Sequence, residues 1–335
     1  MTDDGFHADP PTLLLTDEDV AALADWDGAI AALRAAYSRP DEPARTPERA
    51  VAVTDGGWQR VMVSAPAGGR FAGSKTIAAS LRAGLAGYLI TLFDQNDSRL
   101  AALIDGNRIT GLRTAATAAA ALTALLPDRS VTAAVVGSGF EARAQLRAAA
   151  RVARIEAVRV TSPTAANRER FADELAAELG IPVTPVVAGE EAVRGAGLVL
   201  CAARSRDETP TLRADWVDEN ATVVSVGSTT RTQIELDPAL VGRAAIVVAD
   251  APAEVLHDSG DMIAARAAGH EPEAITVSLH DLLGGGARRP ETGIAIYKST
   301  GSGFQDIVLA EQLYLRAVEQ GRGTPLPAGI LTIRK

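Results

Sequence analysis

The sequence predicts an α/β protein of two domains, in which a doubly wound parallel sheet is joined to a smaller α+β N-terminal domain with an antiparallel sheet. Three observations support this fold class. Short apolar runs alternate with helical segments from residue 131 to residue 249, which is typical of parallel strand–helix–strand units. Strand-like alternation without such helices fills residues 50–104. An Ala-, Thr- and Leu-rich segment, residues 114–126, separates these regions and suits a helix packed between two domains.

The first domain is predicted to combine one long N-terminal helix with several strands. Thr16 is the predicted N-cap, because acidic residues follow it, and the helix is predicted to end near Tyr37. The Asp55-Gly56-Gly57 run predicts a hairpin turn between two alternating segments. The predicted strands are residues 13–15, 50–53, 58–64, 72–77, 86–93 and 100–104.

The second domain is predicted to contain parallel strands joined by helices. Its predicted strands are residues 131–136, 157–161, 183–187, 198–202, 222–226, 245–249 and 293–299, and its predicted helices start at residue 139 or occupy residues 165–179 and 189–195. Residues 305–319 have a periodic apolar face closed by Gly321, which predicts a last helix that packs back on the first domain. The predicted domains are therefore residues 1–112 plus 304–335, and residues 113–303.

Composition argues against several classes of protein. A formal net charge of −9 argues against nucleic-acid binding. No segment has the roughly 18 uninterrupted apolar residues of a membrane span, and the acidic N-terminus does not resemble a signal peptide, so a soluble cytoplasmic protein is expected. The four histidines lack metal-ligand spacing, so no metal site is predicted. The single cysteine, Cys201, lies in an apolar run and is expected to be a buried thiol.

A glycine turn at the start of the strand–helix alternation predicts a dinucleotide site. Residues 131–136 are followed by Gly137, Gly139 and Ala142 in Gly-x-Gly-x-x-Ala spacing. The first glycine permits a tight turn, the second lets a pyrophosphate approach the main chain, and the alanine allows close packing of helix and strand. The N-terminus of the helix then faces the anion. The turn and its context predict a Rossmann-type fold.

The end of the second predicted strand favours NADP over NAD. An NAD site of this type usually has an acid there that binds the ribose hydroxyls. This sequence instead has hydroxyl groups, among them Ser162, followed by Arg168 and Arg170, which suit a 2′-phosphate. The alternative is that these arginines are only the exposed face of the next helix.

Three isolated cations are candidate substrate ligands. Arg49 immediately precedes a strand, Lys75 precedes a hydrophobic run, and Arg113 stands at the start of the apolar interdomain helix. By default such side chains are solvated or form surface ion pairs. A charge at a domain interface, however, needs a partner such as a carboxylate ligand, which favours a role for Arg113.

From about residue 45 onward the chain resembles the ornithine cyclodeaminase/mu-crystallin family. The most specific matches are Ile-Thr-Gly-Leu-Arg-Thr-Ala-Ala at residues 109–116, ahead of the glycine turn, and Lys-Ser-Thr-Gly at residues 298–301, leading to Asp306. Three further short segments also match, namely residues 226–228 with 235–237, residues 248–250 and residues 259–261. Members of the family are homodimers with a Rossmann NAD(P) domain and an N-terminal domain for substrate binding and dimerisation.

The resemblance implies a role for individual residues. Arg49, with Arg45 as the fallback, matches the arginine that binds the substrate carboxylate; Lys75 matches the lysine that reaches the carboxylate and the reacting nitrogen; and Arg113 matches the arginine between substrate and cofactor. Thr300 is expected near the substrate. The implied cofactor-binding residues are Arg113, Thr114, Gly137, Ser138, Gly139, Phe140, Glu141, Ala142, Ser162, Arg168, Ala202, Ala203, Val226, Gly227, Ser228 and Ser299.

One departure from the family pattern affects the predicted reaction. Cyclodeaminases of the family have an acid/base aspartate where this sequence has Thr229, which is therefore the third candidate catalytic residue beside Lys75 and Arg113. A threonine hydroxyl is not a general base near neutral pH without an activator. The sequence therefore favours NAD(P)H-dependent reduction of a C=N bond next to a carboxylate, as in imine reductases and amino-acid dehydrogenases.

Three alternatives remain at this point. The first is a cyclodeaminase whose acid is relocated to Glu235 or Asp250. The second is a nucleotide-binding protein whose main role is to sequester a ligand. The third is a dehydrogenase that cleaves an amino-acid conjugate joined through a C–N bond.

Overall fold

A computed structural model describes residues 11–205, 207–327 and 332. The strands are β1 (Leu13–Leu15), β2 (Ala50–Thr54), β3 (Gly57–Ser64), β4 (Phe71–Ser80), β5 (Leu85–Asp94), β6 (Leu100–Asp105), β7 (Val131–Val136), β8 (Ile155–Thr161), β9 (Val183–Val186), β10 (Leu198–Cys201), β11 (Thr222–Ser225), β12 (Ala244–Ala249), β13 (Thr276–Ser278), β14 (Ile294–Lys298) and β15 (Thr324–Pro325). The helices are α1 (Asp17–Leu23), α2 (Trp26–Tyr37), α3 (Asn107–Leu125), α4 (Phe140–Val152), α5 (Ala165–Leu179), α6 (Gly189–Val193), α7 (Pro238–Gly242), α8 (Pro252–Asp258), α9 (Gly260–Ala267), α10 (Pro272–Ile275), α11 (Leu279–Gly284) and α12 (Gly303–Glu319).

The chain divides into two compact units. The first consists of Met1–Asp25, Glu42–Thr110 and Gly303–Lys335, and the second of Trp26–Asp41 and Gly111–Ser302. The predicted division assigned residues 26–41 to the first domain, whereas the structure groups them with the second. The reason is the packing of α2, whose Tyr37 ring lies 4.7 Å from that of His280 and whose Asp27 pairs with Arg151 of α4.

The first unit is a seven-stranded sheet with α12 on one face. The strand order is β15-β1-β6-β5-β4-β3-β2. Neighbours from β2 to β6 are antiparallel, which confirms the predicted antiparallel sheet, and β1 is parallel to β6. Ile307 of α12 packs so closely on Gly73 of β4 that a Cβ at Gly73 would lie 2.9 Å from it.

The long helix predicted after Thr16 is interrupted. Thr16 does cap α1, since its side chain accepts a hydrogen bond from the Asp19 N–H while the Asp19 carboxylate accepts one from the Thr16 N–H. Ala24 then takes an extended conformation, with ψ of 131°. The prediction of one helix was wrong. Alanine favours helix, so the local sequence does not indicate a break, but the chain passes here from the first unit to the second.

The second unit is an eight-stranded sheet in which every neighbouring pair is parallel. The order is β13-β12-β14-β11-β10-β7-β8-β9. The chain runs from β7 outward to β9 and then returns to β10 on the other side of β7, so the order reverses between β7 and β10. Ligands of open parallel sheets bind outside the carboxyl ends of the strands at such a reversal.

Several details differ from the predicted elements. The helix that carries Arg113 begins at Asn107, seven residues before the predicted start at residue 114, and the sequence did not predict α7–α11 or β13. Cys201 is fully buried, as predicted, and burial raises the pKa of its thiol. Among the helices within residues 11–205 and 207–327, none combines the length and apolar character that crossing a bilayer requires.

Candidate active site

The glycine turn lies at the reversal of strand order. Gly137 follows β7 with a φ of 113°, and a Cβ there would lie 2.7 Å from the Ala202 carbonyl oxygen after β10. Both the conformation and the contact require glycine. Gly139 caps α4, and a Cβ built on it would have no atom within 4 Å. This open space at a helix N-terminus suits an anionic group such as a pyrophosphate.

The predicted 2′-phosphate residues lie together beside this turn. Ser138 Oγ donates to Ser162 Oγ at 2.8 Å, which joins the turn to the end of β8. Arg168 Nη1 donates to the Ser162 carbonyl oxygen at 2.9 Å, whereas Arg170 donates to the Asn167 side chain. Arg168 is therefore held at the end of β8, and Arg170 is exposed on the helix surface.

A buried glutamate connects the ends of the next two strands. Glu235 is 0% exposed, and its Oε1 accepts a hydrogen bond from the Ala203 N–H at 2.9 Å. Its Oε2 accepts from the Gly227 N–H at 3.0 Å and from Ser225 Oγ at 2.5 Å. Gly227 is confined by this arrangement, because a Cβ would lie 2.3 Å from Glu235 Oε1.

Lys298 and Asp261 complete this buried charge cluster. The Lys298 Nζ lies 2.6 Å from Asp261 Oδ2 and donates to Ser225 Oγ and to the Ser228 carbonyl oxygen. Asp261 Oδ1 accepts from the N–H of Glu235 at 2.6 Å. Burial raises the pKa of Glu235 to about 7; attraction to Lys298 opposes this rise, and repulsion by Asp261 adds to it. Within this buried cluster, Glu235 is therefore a carboxyl group whose pKa lies near neutral pH.

Asp250 holds the loop after β14. Its carboxylate accepts from Ser299 Oγ at 2.6 Å and from the N–H groups of Thr300 and Gly301. The Thr300 hydroxyl is buried and has no hydrogen-bond partner among the described residues. A Cβ at Gly301, whose φ is 77°, would lie 2.6 Å from an Arg113 nitrogen. Within the second unit, Arg113 therefore lies beside Gly301, which directly follows the predicted residues Ser299 and Thr300.

Lys75 lies on the α12-covered face of the first sheet. It belongs to β4, and its Nζ lies 3.0 Å from Oδ1 of Asp306 on α12, with both side chains 0% exposed. The Tyr88 ring lies 5.8 Å from the same nitrogen. Lys75 was predicted from the sequence as a site residue, but no role was predicted for Asp306. A carboxylate on a helix with an otherwise apolar face was the available signal.

The two candidate carboxylate-binding arginines of the first unit differ in their surroundings. Arg45 is exposed and pairs with Glu42 at 2.7 Å. Arg49 is half-buried directly before β2. The carboxylate-binding role predicted for Arg49 stays a prediction, with Arg45 as its alternative.

The loop that contains Thr229 is held by hydrogen bonds between its own residues. The Thr229 N–H donates to Gln233 Oε1 at 3.0 Å, and Ser228 Oγ donates to the Gln233 carbonyl oxygen. The two acids that could replace a missing catalytic aspartate, Glu235 and Asp250, both hold backbone N–H groups. This geometry favours a positioning role for these carboxylates over proton transfer to a ligand.

The remaining predicted cofactor residues are on or near the first turn of α4 and on α3. Ala142 is fully buried, as close packing of α4 on the sheet requires. Phe140 is 63% exposed, and a Cβ at Gly111 would lie 2.3 Å from its ring. Thr114 is buried and Glu141 is half-buried. Their contacts with a cofactor stay predictions.

An all-parallel sheet with a glycine turn at its point of reversal, together with a separate sheet that carries a buried lysine, defines a Rossmann-type α/β protein with an added domain. Its family follows from comparison with known proteins. The model of the Ornithine cyclodeaminase/mu-crystallin family matches residues 11–321, and the chain belongs to this family.

Relatives within the family include imine-reducing enzymes. The chain is 32% identical to the iminosuccinate reductase of Paracoccus denitrificans over 233 residues, 69% of this chain and 71% of that protein. The structure of that enzyme with NAD⁺ matches with a TM-score of 0.87 and 26% identity, covering 95% of this chain and 100% of that one. Thermococcus litoralis Delta(1)-pyrroline-2-carboxylate reductase, solved with NADH and L-proline, matches with a TM-score of 0.86 and 27% identity over 94% of this chain and 100% of that one. The ketimine reductase mu-crystallin of Mus musculus is 28% identical over 67% of this chain and 68% of that protein.

Proposed function

We propose that this protein is an NAD(P)H-dependent oxidoreductase that reduces a C=N bond adjacent to a carboxylate. The observation that carries the proposal is Lys75, a fully buried ammonium group that forms an ion pair with Asp306. The named relatives reduce ketimines, iminosuccinate and pyrroline-2-carboxylate, which are all imines of amino acids. The bound cofactor supplies hydride from C4 of its dihydronicotinamide to the imine carbon.

Lys75 supplies the proton in this proposal. The imine nitrogen gains a proton as the carbon gains hydride, so the product is an amine and the lysine is left as a neutral amine until solvent reprotonates it. Asp306 keeps the ammonium group in place on the sheet, because a buried lysine is retained only with a charged or polar partner. General-acid help of this kind contributes about 10²–10⁴-fold to a rate.

Arginine side chains are proposed to bind the substrate carboxylate. Arg49 and Arg113 both present the planar guanidinium group that matches a carboxylate with two parallel hydrogen bonds. Thr300 is proposed to contact the substrate through its buried hydroxyl, which lacks a hydrogen-bond partner among the described residues. These residues bind and orient the substrate, which is the main requirement for hydride transfer.

The residues at the candidate acid/base positions favour reduction over cyclodeamination. Thr229 stands in place of the family's aspartate, and its hydroxyl is a poor general base near neutral pH. The carboxylates of Glu235 and Asp250 are occupied by N–H and O–H donors. Reduction needs one hydride and one proton, so it does not require a further acid. We propose that Thr229, the third candidate catalytic residue, contributes at most a hydrogen bond.

The experiment is oxidation of NADH and NADPH, followed by nicotinamide absorbance, with a panel of imino acids. The panel contains pyrroline-2-carboxylate, its six-membered homologue, oxaloacetate with ammonia, and pyruvate with methylamine. We expect turnover of at least one and its loss in Lys75→Met. Arg108→Met, which removes an exposed cation paired with Asp17 in the same unit, is the matched control. Failure of every substrate to oxidise either cofactor would refute the proposal.

NADP is proposed as the preferred cofactor. Support comes from Arg168, held at the end of β8 by the Ser162 carbonyl oxygen, and from the hydroxyl pair Ser138–Ser162. No acid stands at the end of β8 to accept hydrogen bonds from ribose hydroxyls.

A homodimer is proposed, with the uncovered face of the first sheet as its interface. Register and alternation place a set of exposed apolar side chains on the face opposite to Lys75. These are Leu14, Val63, Leu85, Leu89 and Phe93, of which Leu85 is 71% exposed. Contiguous exposed apolar patches mark interaction sites. Analytical ultracentrifugation should show a dimer that Leu89→Glu with Phe93→Glu converts to a monomer; a monomeric wild type would refute this interface.

The cytoplasmic location stays a prediction.

A further inference from the structure

We propose that Glu235 is a positioning residue for the cofactor: its carboxylate holds the ends of β10 and β11 in the relative position that dinucleotide binding requires. The inference rests on the proposed function, in which Ala203 and Gly227 are cofactor-binding residues. Both donate their N–H groups to Glu235, at 2.9 and 3.0 Å, and Glu235 itself is fully buried. It therefore acts through the backbone and does not touch a ligand.

The hydrogen-bonding chemistry of the pocket favours an ionised Glu235. The N–H groups of Ala203 and Gly227 and the hydroxyl of Ser225 all donate to its carboxylate. A protonated carboxyl group would have to donate, and of these three groups only the Ser225 oxygen could accept. That oxygen already accepts from Lys298 Nζ at 3.0 Å, so its own hydrogen would then lose its acceptor. Protonation thus weakens the link between the two strand ends.

Charged and titratable groups face Glu235 from three neighbouring elements. Lys298 lies at the end of β14 and attracts the carboxylate, Asp261 at the start of α9 repels it, and the thiol of Cys201 lies at the end of β10. With Lys298, Asp261 and Glu235 all ionised, the cluster carries one net negative charge. Because burial raises the pKa of Glu235 to about 7, the strand-end link changes strength near neutral pH.

The consequence is a cofactor affinity that depends on the protonation state of a group away from the ligand. The dissociation constant for NADH should fall as the pH rises through about 7, where Glu235 ionises. NADH is the appropriate probe, since it lacks the 2′-phosphate, which itself titrates at about pH 6.

The experiment is titration of wild type and E235Q with NADH by fluorescence, between about pH 6 and pH 8.5, the range in which the raised pKa of Glu235 falls. We expect E235Q to weaken binding about tenfold above pH 7.5, the effect of a hydrogen bond lost to a charged group, and to remove the pH step. Asp94→Asn is the matched control, because Asp94 is also a buried carboxylate that accepts a backbone N–H, in the other unit. It should change neither the affinity nor its pH dependence.

A second variant makes the test independent of whether E235Q folds. Ser225→Ala removes the hydroxyl that stabilises the ionised carboxylate, so the midpoint of the affinity–pH curve should move to higher pH. An E235Q or Ser225→Ala curve that superimposes on that of the wild type would overturn the inference while leaving the proposed function intact. A wild type that binds neither NADH nor NADPH would overturn both.

Discussion

Lys75 and Asp306 form a fully buried ion pair, with 3.0 Å between Nζ and Oδ1, although 231 residues separate them in the chain. The lysine lies in β4, within the antiparallel part of the sheet, and the aspartate lies on the helix that covers it. Removing one partner of a buried pair leaves an uncompensated charge, whereas replacing both with apolar groups restores a neutral interior. This asymmetry separates a structural role of the pair from a catalytic one.

Lys75→Met is therefore expected to cost roughly 3–5 kcal/mol of unfolding free energy, and Lys75→Met with Asp306→Leu is expected to recover most of it. Both proteins should lose imine reduction by about a hundredfold or more, because neither carries the proton donor. Urea denaturation gives the first quantity and steady-state kinetics the second. A stable double variant with wild-type kcat would show that Lys75 has no catalytic role.

Substitution by alanine is expected to have different effects at two glycines of the same turn. A Cβ at Gly137 meets the Ala202 carbonyl oxygen at 2.7 Å and requires a positive φ, so Gly137→Ala should lower Tm without any ligand. A Cβ at Gly139 meets no atom within 4 Å, so Gly139→Ala should keep the Tm of the free protein. It should instead reduce the rise in Tm that NADPH produces. Thermal denaturation with and without NADPH tests both; an equal ligand-induced rise in Gly139→Ala and wild type would argue against a pyrophosphate there.

The preference for NADPH is expected to depend on Ser162 and Arg168. Ser162→Asp places a carboxylate where it would accept from ribose hydroxyls and repel a 2′-phosphate. The ratio of kcat/KM for NADPH to that for NADH should fall by about tenfold or more with Ser162→Asp, and also with Arg168→Ala. Arg170→Ala is the control on the same helix, because Arg170 is exposed and bonded to Asn167. A ratio that falls with Arg170→Ala but not with Arg168→Ala would contradict the proposed role of Arg168 in the preference for NADPH.

Stability is expected to depend on pH through Glu235. Its pKa is about 7 in the folded protein and near the ordinary 4.5 when unfolded, so the folded state binds the extra proton between these values. The contribution to stability is full below pH 4.5 and is lost as the pH rises to about 7, with a slope of at most about 1.4 kcal/mol per pH unit. The difference in unfolding free energy between wild type and E235Q should therefore fall across this window and level off above it. Urea denaturation at several pH values measures it, and a constant difference would contradict the raised pKa.

The dinucleotide half of the fold follows from local sequence. Residues 131–136 were predicted as a strand and form β7, and residues 165–179 were predicted as a helix and form α5. The central strands β10, β11 and β14 are short apolar runs that are buried along their whole length, so local pattern and tertiary structure agree there. The turn residues Gly137 and Gly139 follow from the same local logic.

The charge networks depend on contacts that local patterns do not encode. Glu235, Asp261 and Lys298 come from a loop, a helix start and a strand end, and only the fold brings them within hydrogen-bond distance. The break at Ala24 was missed for a similar reason, since alanine favours helix and the division between two units decides the local conformation. A carboxylate or lysine within an otherwise apolar strand is the signal that sequence analysis can use, but it does not name the partner.

The position of α12 also has a consequence for biosynthesis. Residues 303–319 cover Lys75 in the first unit, yet the ribosome makes them only after the whole of residues 111–302. Until then the nascent strand β4 carries an ammonium group whose Asp306 partner has not been synthesised, in a position that is buried in the finished protein. All strands of the second unit are thus synthesised before the helix that completes the first, and messages truncated before codon 303 would yield chains without Asp306.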